Sequence, residues 1–172
     1  RITLEHFAIA YPERLFADFK GRSDGDLFAY VSGQLAQGAI NAATLDSYKR
    51  DAYLGLFARV ELVPGIERFV GAARTQFGRL GLATSANRRD FGLAADKYQL
   101  RAWFDVIVTA EDTAQHKPHP APYLQALSWL HANAAETLVI EDSPNGIRAG
   151  KSAGCAVAGL TTAFAPEVLR AA

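Results

Sequence analysis

Three short segments carry side chains whose types and spacing suit phosphate chemistry. They are Leu80-Gly81-Leu82-Ala83-Thr84-Ser85, His116-Lys117-Pro118 and Leu138-Val139-Ile140-Glu141-Asp142-Ser143. Two are apolar runs that end in hydroxyls or in an acidic pair, and the other is a loop lysine just ahead of a helix. Hydroxyls at a strand exit, together with backbone N–H groups, can hold phosphate oxygens, which makes Thr84 and Ser85 candidates for phosphate binding. Adjacent carboxylates can hold a hard cation such as Mg²⁺, which prefers oxygen ligands, so Glu141 and Asp142 are candidate metal ligands. Lys117 offers a compact positive charge to offset crowded phosphate and carboxylate groups.

Each piece taken singly has a plainer explanation. Thr84-Ser85 is also an ordinary strand exit, and a lone loop lysine is usually solvated. Asp142 or Ser143 could simply cap the helix that Pro144 opens. Two neighbouring acids at the end of a buried strand nevertheless repel unless something positive sits close by. The combination, in this order on alternating elements, is what points to a site. His116 and His119 flank Lys117, but with Lys and Pro between them they are not read as metal ligands. Trp103 and Phe104 are read as core under the following strand.

The elements that must position these residues follow from hydrophobic periodicity. Residues 1–61 are mostly helical: Leu4, Phe7, Ala8 and Tyr11 recur at helical spacing, as do Leu27, Phe28, Val31 and Leu35. Thr44 is the expected N-cap of a further helix through Leu45, Tyr48 and Tyr53, and Gly21, Gly25, Gly33 and Gly38 mark turns. From Leu62-Val63-Pro64-Gly65 onward the character changes. Pro64 suits a first helical turn, and Ile66, Phe69, Val70, Ala73 and Phe77 share one face. Strands are expected at 80–83, 105–108, 137–140 and 155–160, and helices at 90–98, 121–132 and 144–153. Leu124, Leu127 and Leu130 should face inward, and Gly154 should close the last of these helices. Continuous apolar strands alternating with helices indicate an α/β fold, a Rossmann-like parallel sheet with helices on both faces. In such sheets ligands bind beyond the carboxyl ends of the strands, where Thr84, Ser85, Glu141 and Asp142 all fall.

Composition narrows the partners. The chain has 172 residues with 18 basic and 18 acidic side chains, so its formal net charge is zero. No basic field points to nucleic acid, and no apolar stretch is long enough to span a membrane. The single Cys155 reads as a buried strand residue, and a cytoplasmic setting is the default expectation. The chain contains no Met and begins with Arg1, from which a natural N-terminus upstream of Arg1 is expected.

On these segments the chain resembles the haloacid dehalogenase (HAD) superfamily, in the branch with an α-helical cap that includes β-phosphoglucomutase-like and phosphoglycolate-phosphatase-like enzymes. Thr84 matches that family's second motif. Lys117, in Lys117-Pro118-His119-Pro120-Ala121-Pro122-Tyr123-Leu124, matches its third. Glu141-Asp142-Ser143-Pro144-Asn145-Gly146-Ile147-Arg148-Ala149-Gly150 matches its fourth. The resemblance makes residues 1–61 a partial helical cap and 62–172 the core, with Lys20-Gly21-Arg22-Ser23 similar to the cap loop that faces substrate. It implies Mg²⁺-dependent phosphoryl transfer to and from an Asp nucleophile, with a second Asp two residues later as acid and base. In this reading Thr84 and Ser85 hold phosphoryl oxygens, Lys117 neutralises charge, and Asp142 with Glu141 holds the metal. The acidic pair argues against the metal-free dehalogenase branch.

The chain departs from that pattern in two places. No apolar strand ending in Asp-x-Asp precedes residue 62; Asp24-Gly25-Asp26 follows no buried strand and reads as a solvated loop or helix cap. The central nucleophile strand is therefore expected upstream of Arg1, and the chain by itself is expected to be inactive. The position after Gly21-Arg22-Ser23 is Asp24, where phosphoglucomutase-like caps usually carry an Arg. The expected activity is hydrolysis of a small phosphorylated metabolite. The alternatives are a β-phosphoglucomutase-like sugar phosphomutase and a catalytically inactive, truncated binding module. The protein is expected to be a monomer or a homodimer.

Overall fold

Helices and strands alternate from residue 66 onward, whereas every element before it is helical. The computed structural model describes residues 1–172. Contacts divide them into two units: Arg1–Phe19 with Asp24–Ile66, and Lys20–Ser23 with Glu67–Ala172.

The first unit contains α1 (Ile2–His6), α2 (Leu15–Phe19), α3 (Asp24–Tyr30) continued by a π-helical turn at Val31–Leu35, and α4 (Ala42–Phe57). Leu4, Ile9, Leu15, Phe28, Val31 and Leu45 form its buried core. The first helix stops earlier than the spacing of Leu4, Phe7, Ala8 and Tyr11 predicts, because Phe7 is its C-cap and Ala8 turns to φ +51°. The cap of α4 is Asn41 rather than Thr44; its side chain accepts a hydrogen bond from the Thr44 N–H at 2.8 Å. Asn is the stronger N-cap, and starting three residues earlier still leaves Leu45 on the buried face. Gly25 and Gly33 lie inside helical turns rather than between elements. Asp24 and Asp26 sit in the first turn of α3, where the helix dipole favours acids, and Asp24 also receives Lys49 Nζ from α4 at 2.8 Å.

At the boundary Pro64-Gly65, still in the first unit, precedes rather than begins the helix α5 (Ile66–Phe77), which from Glu67 on belongs to the second. Gly65 has φ +83° and the Ile66 N–H donates to the Val63 carbonyl at 3.1 Å, the pattern of a turn with Pro then Gly at its centre. Then follow β1 (Gly81–Ala83), α6 (Arg88–Tyr98), β2 (Val106–Val108), α7 (Ala121–Leu130), β3 (Leu138–Glu141), α8 (Pro144–Ser152), β4 (Ala156–Gly159) and α9 (Pro166–Arg170). All pairing is parallel, with Leu82 opposite Ile107 and Val139 opposite Val157. Helices α7 and α8 supply the core against β3: Tyr123, Leu127, Val139, Ala149, Ala153 and Cys155 are buried together. On α7 the inward face is Tyr123, Ala126 and Leu127, so Leu124 points outward and is 47% exposed, contrary to its expected placement. Gly154 follows the C-cap of α8 at φ +84°, the left-handed conformation that glycine adopts without steric cost.

The α/β class and parallel pairing hold, but the sheet is two separate pairs, β1–β2 and β3–β4. One edge of β1 and one edge of β3 therefore have no strand partner. Large apolar side chains are also left exposed: Leu138 of β3 is 45% exposed, and on α5, which buries no residue, Phe69 is 48% and Phe77 60% exposed. No helix is long and apolar enough to cross a membrane.

Two glycines give a contrast in packing. A Cβ on Gly150 of α8 would lie 2.9 Å from Val157 Cγ2 and 3.2 Å from Val139 Cγ1, whereas one on Gly92 of α6 would meet no atom within 4 Å. Gly92→Ala should therefore stabilise the fold by about 0.5–1 kcal/mol through helix propensity. Gly150→Ala should lose about 1–3 kcal/mol, because crowding against rigid β-branched neighbours exceeds the propensity gain. Urea unfolding of both variants checks the opposite signs.

Candidate functional site

Four of the five residues singled out from the sequence lie at the carboxyl ends of β1 and β3, and the fifth, Lys117, joins those two ends. The Thr84 N–H donates to the Val108 carbonyl at 2.9 Å, extending the β1–β2 ladder by one residue. Its hydroxyl oxygen accepts from the Ala86 N–H at 3.1 Å, which leaves the hydroxyl hydrogen unspent. Asn87 then caps α6 by accepting from the Asp90 N–H. Ser85 is differently engaged: its hydroxyl donates to the Gly21 carbonyl at 2.5 Å.

At the end of β3, Ser143 is the N-cap of α8, accepting from the Gly146 N–H at 3.0 Å and donating to Glu141 Oε2 at 3.0 Å. Glu141 turns into the protein and is 9% exposed. Its Oε1 accepts from Lys117 Nζ and from the Tyr123 hydroxyl, each at 2.5 Å. Its Oε2 also accepts the Asp142 and Ser143 N–H groups at 3.1 and 3.3 Å. The carboxylate lies so close to the first turn of α8 that a Cβ on Gly146 would overlap it, which is why only glycine fits there. Lys117 is 4% exposed, precedes Pro118 with a cis peptide bond, and donates also to the Ala83 carbonyl at 3.0 Å. Its ammonium sits 4.8 Å from the centroid of the Tyr123 ring.

Burial alone would push the Glu141 carboxyl up; the Lys117 ammonium and the hydrogen bonds from Lys117, Tyr123 and Ser143 outweigh it and hold the group below the usual Glu value. Burial, and next the negative charge of Glu141, pushes the Tyr123 hydroxyl well up, so it remains a donor.

These contacts sort the two candidate metal ligands. Both oxygens of Glu141 are occupied by protein donors. The Asp142 carboxylate, half-buried beside it, makes no hydrogen bond or ion pair. No three His, Cys, Asp or Glu side chains converge in this chain. Of the two, Asp142 is the carboxylate that a cation such as Mg²⁺ would meet, while Glu141 faces the ammonium. His119 Nδ1 accepts from the Ala121 N–H at 3.2 Å at the start of α7. Tyr123 was not singled out from the sequence. The available signal was a tyrosine on the inward face of a helix, whose hydroxyl needs a partner once buried.

A family model for haloacid dehalogenase-like hydrolases matches residues 1–160. The phosphoglycolate phosphatase of Salmonella paratyphi A is 31% identical over 116 residues, which are 66% of this chain and 46% of that protein. The pyrophosphatase PpaX of Anoxybacillus flavithermus is 35% identical over 82 residues, 48% of this chain and 38% of that protein. The chain thus spans less than half the length of these curated relatives. The crystal structure of a hydrolase from Pseudomonas syringae superposes with a TM-score of 0.84 at 20% identity, covering 98% of this chain and 78% of that one.

The Lys117–Glu141 pair yields a stability prediction. Glu141→Gln keeps the shape but leaves the buried ammonium facing a neutral amide, and should cost about 3–5 kcal/mol near pH 7. The sign with pH follows from the lowered carboxyl: its contribution is complete above the ordinary Glu value of about 4.3 and is lost as pH falls through the lower folded-state value. Urea unfolding across pH should show the difference between wild type and variant shrinking in acid.

Proposed function

The chain belongs to the haloacid dehalogenase-like hydrolase family, and from that premise we propose that the protein is a Mg²⁺-dependent phosphomonoesterase acting on a small phosphorylated metabolite. The observation that carries this reading is the placement of Lys117. Its ammonium spends one N–H on Ala83 and one on Glu141, which leaves a third for a phosphoryl oxygen. Beside it the Thr84 hydroxyl has its hydrogen to give, and the Asp142 carboxylate is open for a cation.

In this mechanism Thr84 donates to a phosphoryl oxygen and Lys117 offsets the negative charge that builds up on the transferring group. Asp142 would hold Mg²⁺, which when bound would add positive charge at the phosphate. Glu141 acts one layer behind, fixing the direction of Lys117. The reading takes as nucleophile an Asp that is not among these 172 residues, on an apolar strand that would pair with the open edges of β1 and β3. Its carboxylate oxygen bonds to phosphorus as the bond to the leaving alcohol breaks; a second Asp two residues on protonates that alcohol, then takes the proton of the water that releases phosphate. The setting proposed is cytoplasmic, in keeping with a single free and buried Cys155.

Asp24 favours hydrolysis over phosphomutase activity. It stands where a cationic contact to a second phosphate would be expected, and its carboxylate is paired with Lys49.

The test is release of phosphate from p-nitrophenyl phosphate and a panel of small phosphomonoesters by the full-length protein. Turnover should require Mg²⁺, vanish with a chelator and return with added Mg²⁺. Lys117→Ala should lower kcat by about 10²–10³-fold, and Asp142→Asn should abolish the response to Mg²⁺ at concentrations that saturate wild type. The 172-residue chain should give no turnover. A full-length protein that binds phosphate and never releases it from any ester would instead favour the binding-module reading.

A further inference from the structure

The segment Lys20–Ser23 is flanked in sequence by residues of the first unit, yet it packs as part of the second. Two side chains hold it there. The Ser85 hydroxyl donates to the Gly21 carbonyl at 2.5 Å, and Asn145 Nδ2 donates to the Lys20 carbonyl at 2.9 Å. Ser85 leaves β1, and Asn145 lies in the first turn of α8, so the segment runs as a strap from one strand exit to the other. Gly21 has φ +86°, and a Cβ there would overlap the Ser143 hydroxyl and lie 3.6 Å from Asn145 Cβ. Glycine is therefore required both by backbone conformation and by close approach. Ser23 is 5% exposed and Asn145 7%. A buried amide must place its hydrogens, and that of Asn145 places one on the strap.

A hydroxyl has one hydrogen to donate, and Ser85 gives it to Gly21. It is then not available for a phosphoryl oxygen, unlike that of Thr84 one residue earlier. We propose that Asn145 is a positioning residue that, with Ser85 as second anchor, fastens the strap Lys20–Ser23 beside the exits of β1 and β3, and that Ser85 serves this strap rather than donating to phosphate. The consequence for substrate binding rests on the phosphatase reading; the fastening itself does not. With the strap in place one wall of the site is fixed before substrate arrives. Loosening it should weaken binding and leave the chemical step, which depends on Thr84, Lys117 and Asp142, largely alone.

The strap contains two tryptic sites, after Lys20 and after Arg22. Cleavage of a native protein at such a site reports local opening. Asn145→Asp keeps the side-chain shape and removes the donor, and Ser85→Ala removes the other. Each should speed trypsin cleavage at these two bonds by about tenfold, with cleavage after the exposed Arg101 unchanged as internal reference. The double variant should gain less than the product of the two singles, because both act on one strap. Unchanged cleavage in both single variants overturns the proposal. In the full-length protein each single variant should raise KM for p-nitrophenyl phosphate several-fold, with kcat within about twofold. A fall in kcat for Ser85→Ala with no change for Asn145→Asp would overturn the anchor role and return Ser85 to the phosphate. A full-length protein without turnover would remove the phosphatase reading, and the trypsin comparison would still decide the strap.

Discussion

One buried ion pair organises the second unit. An ammonium and a carboxylate taken out of water cost several kcal/mol each, and their attraction offsets this only when the remaining donors and acceptors are satisfied. Glu141 meets that condition with Lys117, the Tyr123 hydroxyl, the Ser143 hydroxyl and two backbone N–H groups. Lys117 places two of its three N–H groups on Glu141 and the Ala83 carbonyl and lies over the face of Tyr123. Through these bonds the exit of β1, the loop before α7, the first turn of α7, the exit of β3 and the N-terminus of α8 become one connected object. Gly146 follows from the same pair, because the carboxylate occupies the space a side chain would need.

The pair also sets what the site can do. A lysine held at both ends presents a remaining N–H in a fixed direction, which is what stabilisation of developing charge requires. Because Glu141 is committed inward, the open carboxylate is Asp142. Two adjacent acids thus face different surroundings, by the direction in which each side chain leaves the end of one strand.

The exposed apolar groups belong to the same arrangement. β1 and β3 each lack a partner on one edge, and Leu138, Phe69 and Phe77 are each left about half exposed. Unpaired strand edges and uncovered apolar helix faces are costly in isolation. The ion pair bridges the two sheets at the carboxyl ends of their strands, so the site residues converge even though β1 and β3 do not pair.

The amino-acid sequence was sufficient for the order of the elements. Continuous apolar runs, separated by helical periodicity and punctuated by Pro and Gly, gave every strand and each longer helix of residues 66–172 to within a few residues. It also placed Thr84, Ser85, Glu141 and Asp142 at the exits of strands and Lys117 in the loop before α7. Local competition escaped it. Asn41 displaced Thr44 as a cap, Pro64-Gly65 made a turn instead of a helix start, and Leu124 fell on the wet side of α7 by a single step of 100°. Long-range partners escaped it as well. That Glu141 faces Lys117 while Asp142 stays open, that Tyr123 completes the pair, and that Ser85 and Asn145 hold a strap more than sixty residues away are facts of three-dimensional approach. Spacing along a chain fixes which face of an element a residue occupies, and only packing decides what stands opposite that face.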